Sequence, residues 1–341
     1  MSYKQMTGNI ISATKVEPAG NFNNSSSSGV WSLQEQFDYR KGNNWPINGN
    51  GNAQFALNGP GKGDETIIHR VTITTTGNAI DFGTMAQGEG NSQGAVSNTI
   101  RGIFGGGEGF SNIIQFVLFL TGGNSTDFGN LASSSGNNYC GGVCDSTRGV
   151  INGIGGQTDV MEYITTATTG NALDFGNLSE ARQGSSTANS TTRGVFAGGE
   201  NSSNATSNVI DYITIQSLGN ATNFGDLTKV SKMRSGGASS TTRGIFSEGS
   251  FNTNDNTLSY ITIASAGNST NFGDLTTSPS WTSMTSSNVR GIRFGGLVSG
   301  ARENTIDYIT IATIGNATDF GDLTVATDRT SATSNCHGGL Q

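Results

Sequence analysis

The chain has 341 residues, of which 51 are Gly and 4 are Pro, with 13% charged residues and a formal net charge of -7. Collagen, which needs Gly at every third position and abundant Pro, is excluded, as are Ala/Glu/Lys/Leu-rich helical bundles and charge-driven disorder. What remains is an all-β chain rich in turns, in which Gly supplies positive φ and Asn and Ser close the loops. The acidic balance argues against nucleic acid as a partner, since neutralising phosphates needs clustered Lys and Arg. No apolar run reaches the length of a membrane-spanning helix; the longest, Ile113–Leu120, has the length of a strand. The opening Met1–Gln5 lacks the charged and apolar regions of a secretory signal.

Residues 1–49 stand outside any repeat. Ser32 and Glu35 form a capping box, Leu33, Phe37 and Arg40 share a face at helical spacing, and Gly42 and Pro46 end the pattern. This predicts one short helix over Leu33–Lys41, with Trp31 and Trp45 as anchors at its ends. The stretch reads as an N-terminal attachment segment whose docking candidates are Trp31, Leu33, Phe37 and Trp45.

From residue 50 to 341 the chain repeats. Gly-Asn-(Ala/Ser)-x-(Asp/Asn)-Phe-Gly recurs six times, with its Phe at 82, 128, 175, 224, 272 and 320, a period of 46–49 residues. A second phrase, Arg-Gly before an apolar strand, begins at Arg101, Arg148, Arg193, Arg243 and Arg290. A third alternates apolar residues, as in Asn208–Ile215 and Asn304–Ile311. In the fourth unit four strands are predicted over Ser185–Ser190, Arg193–Ala197, Val209–Ile215 and Thr222–Leu227. Four short strands per fixed period favour a propeller, and the small residues of the first strand suit the crowded axis. The first unit begins at a second-strand phrase, Ala53–Gly59, and Arg329–Asn335 reads as its missing first strand. Pairing the two would close a ring of six blades and remove its open edges. The expected fold is therefore an all-β six-bladed propeller, closed by pairing of its N- and C-terminal strands and preceded by the extension.

The apolar strand ending in a double Gly, as in Phe104–Gly107 and Phe196–Gly199, and the following strand with its Tyr at 163, 212, 260 and 308, resemble kelch-type propeller repeats. The kelch Trp is replaced by the Phe of the Asp-Phe-Gly phrase, so the resemblance is one of architecture and implies no function. Gly29-Val-Trp-Ser-Leu-Gln-Glu-Gln-Phe37 with Trp45-Pro46, and Ile10–Pro18 before them, resemble a segment near the start of tailed-phage structural proteins, especially those of marine phages. That resemblance implies a non-enzymatic virion component, a tail fibre, appendage or capsid-surface protein. Its partners would be other virion proteins, further copies of itself and a host-surface glycan, with neither nucleic acid nor membrane insertion. The alternative is a lectin-like glycan-binding propeller.

Arg101, Arg148, Arg193, Arg243 and Arg290 occupy one repeat position and would form a ring. The ring could bind an anion or glycan, or serve the blades themselves by pairing with Asp81, Asp127, Asp174 and Asp319. The six Phe residues are expected to anchor neighbouring blades. Asn124, Asn220, Asn268 and Asn316 match the glycosylation acceptor pattern, but their fixed phase marks them as turns. Cys140, Cys144, Cys336 and His337 are too loosely spaced for a zinc site, and no metal or cofactor is expected. Two histidines, His69 and His337, stand apart from any nucleophile signature. Gly90-Asn-Ser-Gln-Gly94 lacks a strand-turn-helix context, and Ser125-Thr-Asp-Phe-Gly129 resembles only the structural core of a sialidase Asp box. No enzymatic activity is expected. Departures from the repeat are the better place to seek function, namely Phe116–Leu120 and the pair Trp281 and Met284.

Overall fold

The computed structural model describes residues 53–340 except 64–65, 87–91, 108–111, 134–138, 202, 204, 231–236 and 249–254. The expected helix and the docking candidates Trp31, Leu33, Phe37 and Trp45 lie outside the described residues.

The described residues form six four-stranded antiparallel sheets, one per sequence repeat. Blade 1 contains β1 (Phe55–Asn58), β2 (Ile67–Thr72) and β3 (Ile80–Thr84). Blade 2 is β4 (Gly94–Ser97), β5 (Arg101–Gly105), β6 (Ile113–Leu118) and β7 (Thr126–Asn130). Blade 3 is β8 (Gly141–Cys144), β9 (Arg148–Asn152), β10 (Val160–Thr165) and β11 (Leu173–Asn177). Blade 4 is β12 (Ser186–Asn189), β13 (Arg193–Glu200), β14 (Thr206–Thr214) and β15 (Thr222–Asp226). Blade 5 is β16 (Gly237–Ser239), β17 (Arg243–Ser247), β18 (Thr257–Thr262) and β19 (Thr270–Asp274). Blade 6 is β20 (Ser283–Ser286), β21 (Arg290–Val298), β22 (Ala301–Thr310) and β23 (Thr318–Asp322). The last strand, β24 (Ala332–Ser334), is the inner strand of blade 1 and pairs antiparallel with β1, Ala56 opposite Ser334 and Asn58 opposite Ala332. The ring is a six-bladed β-propeller closed by its first and last strands, as the repeat phase predicts. Asn335 extends the closure by accepting the Phe55 amide on Oδ1 at 2.9 Å.

The innermost strands touch at backbone distance, which explains their small residues. A Cβ on Gly142 would meet the Ala95 carbonyl at 2.4 Å, and one on Gly237 the Thr187 carbonyl at 2.1 Å. The hydrophobic core lies between blades. One cluster joins Val195, Ile210 and Phe224 of blade 4 to Phe246 and Ile261 of blade 5, and another joins Ile292, Phe294 and Phe320 of blade 6 to Ala56, Val71 and Ile73 of blade 1. All six Phe residues of the Asp-Phe-Gly phrase are buried, and Phe128, Phe175, Phe224, Phe272 and Phe320 sit in such clusters, in the anchoring role expected of them.

Two devices recur at the junctions. At the outer edge, the Gly-Asn turn of one blade clasps the fourth strand of the blade before it. Gly267 N donates to Phe224 O at 2.7 Å, Ser269 N to Asp226 O at 2.8 Å, and Asp226 N to Asn268 Oδ1 at 3.0 Å. The same three bonds form at all six junctions, and the one between blades 6 and 1 uses Gly77, Asn78 and Ala79 against Phe320 and Asp322. Here the Phe-Gly glycine is obligatory: Gly225 has φ +153°, and a Cβ would lie 2.4 Å from the Gly267 carbonyl. The clasp also occupies the free edge that an outermost strand presents.

The second device is the arginine. Each repeat arginine stacks its guanidinium 4.3–4.6 Å from the centroid of an aromatic on its own blade: Phe116, Tyr163, Tyr212, Tyr260 or Tyr308. That ring in turn meets the Asp-Phe-Gly Phe edge-on, at 5.9–6.3 Å. The arginine also donates to a carbonyl of the next blade, for example Arg243 Nη1 to Ile311 O and Arg290 Nη1 to Ile73 O, both at 2.8 Å. A stacked cation contributes about 0.5–2 kcal/mol according to its desolvation. The expected pairing with Asp81, Asp127, Asp174 and Asp319 is corrected: those carboxylates are exposed, and the guanidinium donors go to backbone carbonyls. Blade 1 exchanges the partners. Phe55 stands at the arginine position and Arg70 at the tyrosine position, and Arg70 lies 4.6 Å from the Phe55 ring centroid and 5.3 Å from that of Phe82.

Two further arginines are buried, Arg182 at 0% and Arg293 at 1% exposure. Arg182, in the connection entering blade 4, pairs with Asp211 and Glu180 at 2.9 Å each and donates to the Val209 and Phe196 carbonyls. Arg293, on β21, pairs with Asp307 and Glu303 of the neighbouring strand β22 in the same blade. Asp211 and Asp307 precede the repeat tyrosine in their blades, so the same interior position receives its cation from a loop in one blade and a strand in the other.

Candidate functional site: the axial mouth

The inner strands β4, β8, β12, β20 and β24 all begin at one end of the axis. Two residues before the repeat start of each inner strand the chain is left-handed: Ser92 (φ 57°), Tyr139 (52°), Gly184 (69°), Trp281 (55°) and Arg329 (60°). The blade 5 equivalent, Arg234, lies outside the described residues. For a non-Gly residue this conformation costs roughly 1–2 kcal/mol, and backbone bonds hold it in place. Arg329 N donates to Trp281 O at 2.8 Å, Ser92 N to Arg329 O at 2.7 Å, Cys140 N to Ser92 O at 3.1 Å and Gly184 N to Tyr139 O at 2.8 Å. The backbone thus runs as a hydrogen-bonded rim from blade to blade, while the side chains it carries differ completely. A rigid, repeated frame that presents unlike side chains is the form a binding site takes on a propeller.

The rim opens into a cavity of about 550 Å³, counting its open mouth, lined by Gln93, Tyr139, Thr187, Trp281, Met284, Arg329 and Ser331 among others. A second chamber, about 350 Å³ counting the open space around it, lies deeper on the axis and shares Ala95, Gly142, Thr187, Met284 and Ala332 with the first. Met284 is the long side chain at a level where the other blades offer Ala, Gly or Thr, so it narrows the passage. Among the described residues no carboxylate lines either chamber. At the mouth the Arg329 guanidinium lies 3.8 Å from the centroid of the Trp281 ring, with Nε 3.6 Å from Asp328 Oδ2. Arg302 Nε donates to the other Asp328 oxygen at 2.6 Å.

The far end is floored by the residues after β24. Ser97 Oγ donates to Ser334 O, Ser334 Oγ to Ser286 O and Ser286 Oγ to Ser239 O, a hydroxyl chain around the axis. Blades 3 and 4 depart from serine here with Cys144 and Asn189, and His337 fits against them. Its Nδ1 accepts from Asn189 Nδ2 at 2.8 Å and from Gly339 N at 3.1 Å, while Nε2 faces Ser97 Oγ at 2.9 Å and Cys144 Sγ at 3.3 Å. Two N–H donors on Nδ1 and a Ser97 hydroxyl already committed to Ser334 fix the neutral Nε2–H tautomer. Burial lowers the His337 pKa from 6.5 to about 4.

Between those two values the unfolded chain binds a proton that the folded chain does not, so stability rises with pH across the window. Acidification from pH 6.5 through pH 4 is expected to remove up to about 3 kcal/mol. Thermal midpoints of the wild type and His337→Gln at pH 7.5 and 4.5 check this: the wild type should lose more than the variant, and parallel losses would contradict it.

The sequence candidates divide clearly. Trp281 and Met284, marked as departures from the repeat, both line the cavity. Phe116 instead joins the stack of blade 2, and Phe119 is buried in the interior, with Leu118 and Leu120 exposed beside it. The five repeat arginines follow the turn after each inner strand, at the end remote from the mouth, with the blade contacts described above. Cys144 and His337 do meet, but Cys140 bonds the Gly153 carbonyl and Cys336 lies toward that of Ser286. Burial pushes all three thiols up to about 12, so they stay protonated at neutral pH. His69 is buried against Thr324 Oγ1 at 2.6 Å. The glycosylation-like asparagines are the acceptors of the outer clasp. Tyr139 and Arg329 were not singled out by sequence; aligning the residue two before each inner strand would have exposed them.

Fold and cavity together define an all-β six-bladed propeller with an axial cavity floored by its own chain. No family model matches the sequence, and no curated protein matches it significantly.

Proposed function

We propose that the protein is a non-enzymatic virion component, a tail fibre, appendage or capsid-surface protein. In this reading residues 1–49 dock to the particle, and the propeller mediates assembly or host-surface recognition. The observation that carries the binding role is the rim: five equivalent backbone positions hold Ser92, Tyr139, Gly184, Trp281 and Arg329 over a cavity. The resemblance of Gly29–Phe37 and Trp45-Pro46 to phage structural proteins supports the particle context. A role without chemistry is supported by the placement of the titratable groups. Both histidines are buried away from the rim, and the thiols are held protonated.

Deleting residues 1–49 should yield particles lacking the protein, while residues 50–341 still unfold cooperatively. Truncated protein found in particles at the wild-type level would overturn the docking role. A second reading, a lectin-like propeller acting apart from a particle, is favoured by the same aromatic and hydroxyl-lined mouth. It predicts glycan binding with no dependence of location on residues 1–49.

A further inference from the structure

We propose that residues 336–340 form an acid-released latch over the far end of the axis, with His337 as its catch. The latch is a property of the ring alone and holds whether or not the protein belongs to a particle. Asn335 marks the hinge: its amide donates to Phe55 O at 3.2 Å and its Oδ1 accepts the Phe55 amide, which ties the chain up to this point to blade 1. Beyond it the tail holds the inner strands through few bonds. His337 meets Asn189, Ser97 and Cys144 of three blades, and Gly338 N donates to Ser239 O at 3.1 Å. The Gly339 and Leu340 amides turn back onto His337 itself, to Nδ1 and to its carbonyl. Glycine lets this turn lie flat on the floor, since a Cβ on Gly339 would fall 2.0 Å from Cys144 O and one on Gly338 2.2 Å from Ser240 O. Cys144, Asn189 and His337 line the second chamber. Release of the tail therefore opens that chamber from the far end and leaves β24 and the ring closure in place.

Protonation undoes the catch by geometry. Nδ1 accepts from Asn189 Nδ2 and from Gly339 N, and on gaining a proton it becomes a donor itself. Asn189 can turn its amide oxygen inward, but the Gly339 N–H stays a donor, so two donors are left face to face. The described groups around the ring supply no charge to offset this: Ser97, Asn189, Ser239, Ser286 and Ser334 are neutral, and the Cys144 and Cys336 thiols stay protonated. Asp145, next after β8, accepts from Thr147, Arg148 and Gln216. Arg101, Arg148 and Arg193 are stacked on the aromatics of their own blades. Gln341 lies outside the described residues. Burial holds the closed ring at about 4, whereas a released tail takes up its proton at the ordinary 6.5. Acidification inside that window favours release by up to about tenfold per pH unit, and nothing further is gained below it.

Dithiodipyridine labelling of the full chain tests the latch, with each cysteine read by peptide mass spectrometry and each rate divided by that of the urea-unfolded chain at the same pH. Cys144, 3% exposed beneath the tail, should lose about tenfold in protection between pH 6 and pH 5 and almost none between pH 8 and pH 7. Cys140, which lines the cavity at the opposite end, should keep its protection throughout. A parallel fall at Cys140 would mean that the whole ring opens and would overturn the latch, as would unchanged protection at Cys144. His337→Gln, which takes up no proton, should give Cys144 a protection independent of pH; a wild-type pH dependence in that variant would also overturn it. Gly339→Ala, whose Cβ collides with Cys144 O, should expose Cys144 already at pH 7 while Cys140 stays protected, and wild-type protection of Cys144 there would count against the latch. Should a variant fail to fold, the comparison of Cys144 with Cys140 in the wild type decides.

Discussion

Ending the chain at Asp328 should abolish cooperative folding. The truncation removes β24, leaving the edge of β1 unpaired although all four β1 residues are buried. It also removes the floor, in which His337 bridges Ser97, Cys144 and Asn189 of three blades, and it cuts Arg329 from the rim. An open ring exposes inter-blade core on both sides of blade 1, where Ala56, Val71 and Ile73 pack on blade 6. Circular dichroism melts should show no sharp transition, with dye binding typical of exposed apolar surface. Ending the chain at Asn335 instead spares β24 and removes only the floor. That variant should fold but lose roughly 3–5 kcal/mol, since several buried polar groups lose partners at about 1–3 kcal/mol each. A chain ending at Asp328 that melts like the wild type would contradict closure by the last strand.

Replacement of Arg182 by Met should be the most costly single substitution in the interior. It leaves Asp211, fully buried, bonded to Ser179 without its arginine. Breaking a buried ion pair from one side costs about 3–5 kcal/mol, because the surviving charge stays desolvated. In a chain of this size that corresponds to a fall of roughly 5–15 °C in Tm. Arg182→Met with Asp211→Leu should recover most of the loss, short of the wild type because the Ser179 amide loses its acceptor. Calorimetry of the two variants separates the possibilities: a double variant no more stable than the single would show that the carboxylate is not the source of the cost.

The fold was legible because the same contact is made six times. Gly225 and its equivalents cannot carry a Cβ against the following Gly-Asn turn, and Asn268 and its equivalents supply the acceptor, so both residue types reappear at a fixed phase. Closure was legible because Arg329–Asn335 has the composition of an inner strand and the first unit lacks one. Other features left no periodic trace. Arg182 and Arg293 fill equivalent interior positions from different places in the chain, so alignment by motif does not relate them. In blade 1 the Arg–aromatic pair is preserved with its members exchanged between strands, and a search for Arg-Gly passes over Arg70. The expected Arg–Asp pairing failed because the true acceptors are main-chain carbonyls, which every sequence possesses. At the mouth Trp281 and Met284 stood out by size, whereas Tyr139 and Arg329 lie in connections whose phase is visible only once the inner strands are placed.

A density map of purified particles tests the functional account most directly. The account predicts a six-bladed ring on the particle, with residues 1–49 in contact with other virion proteins. Particles without the protein, or a ring attached while residues 1–49 face solvent, would contradict it.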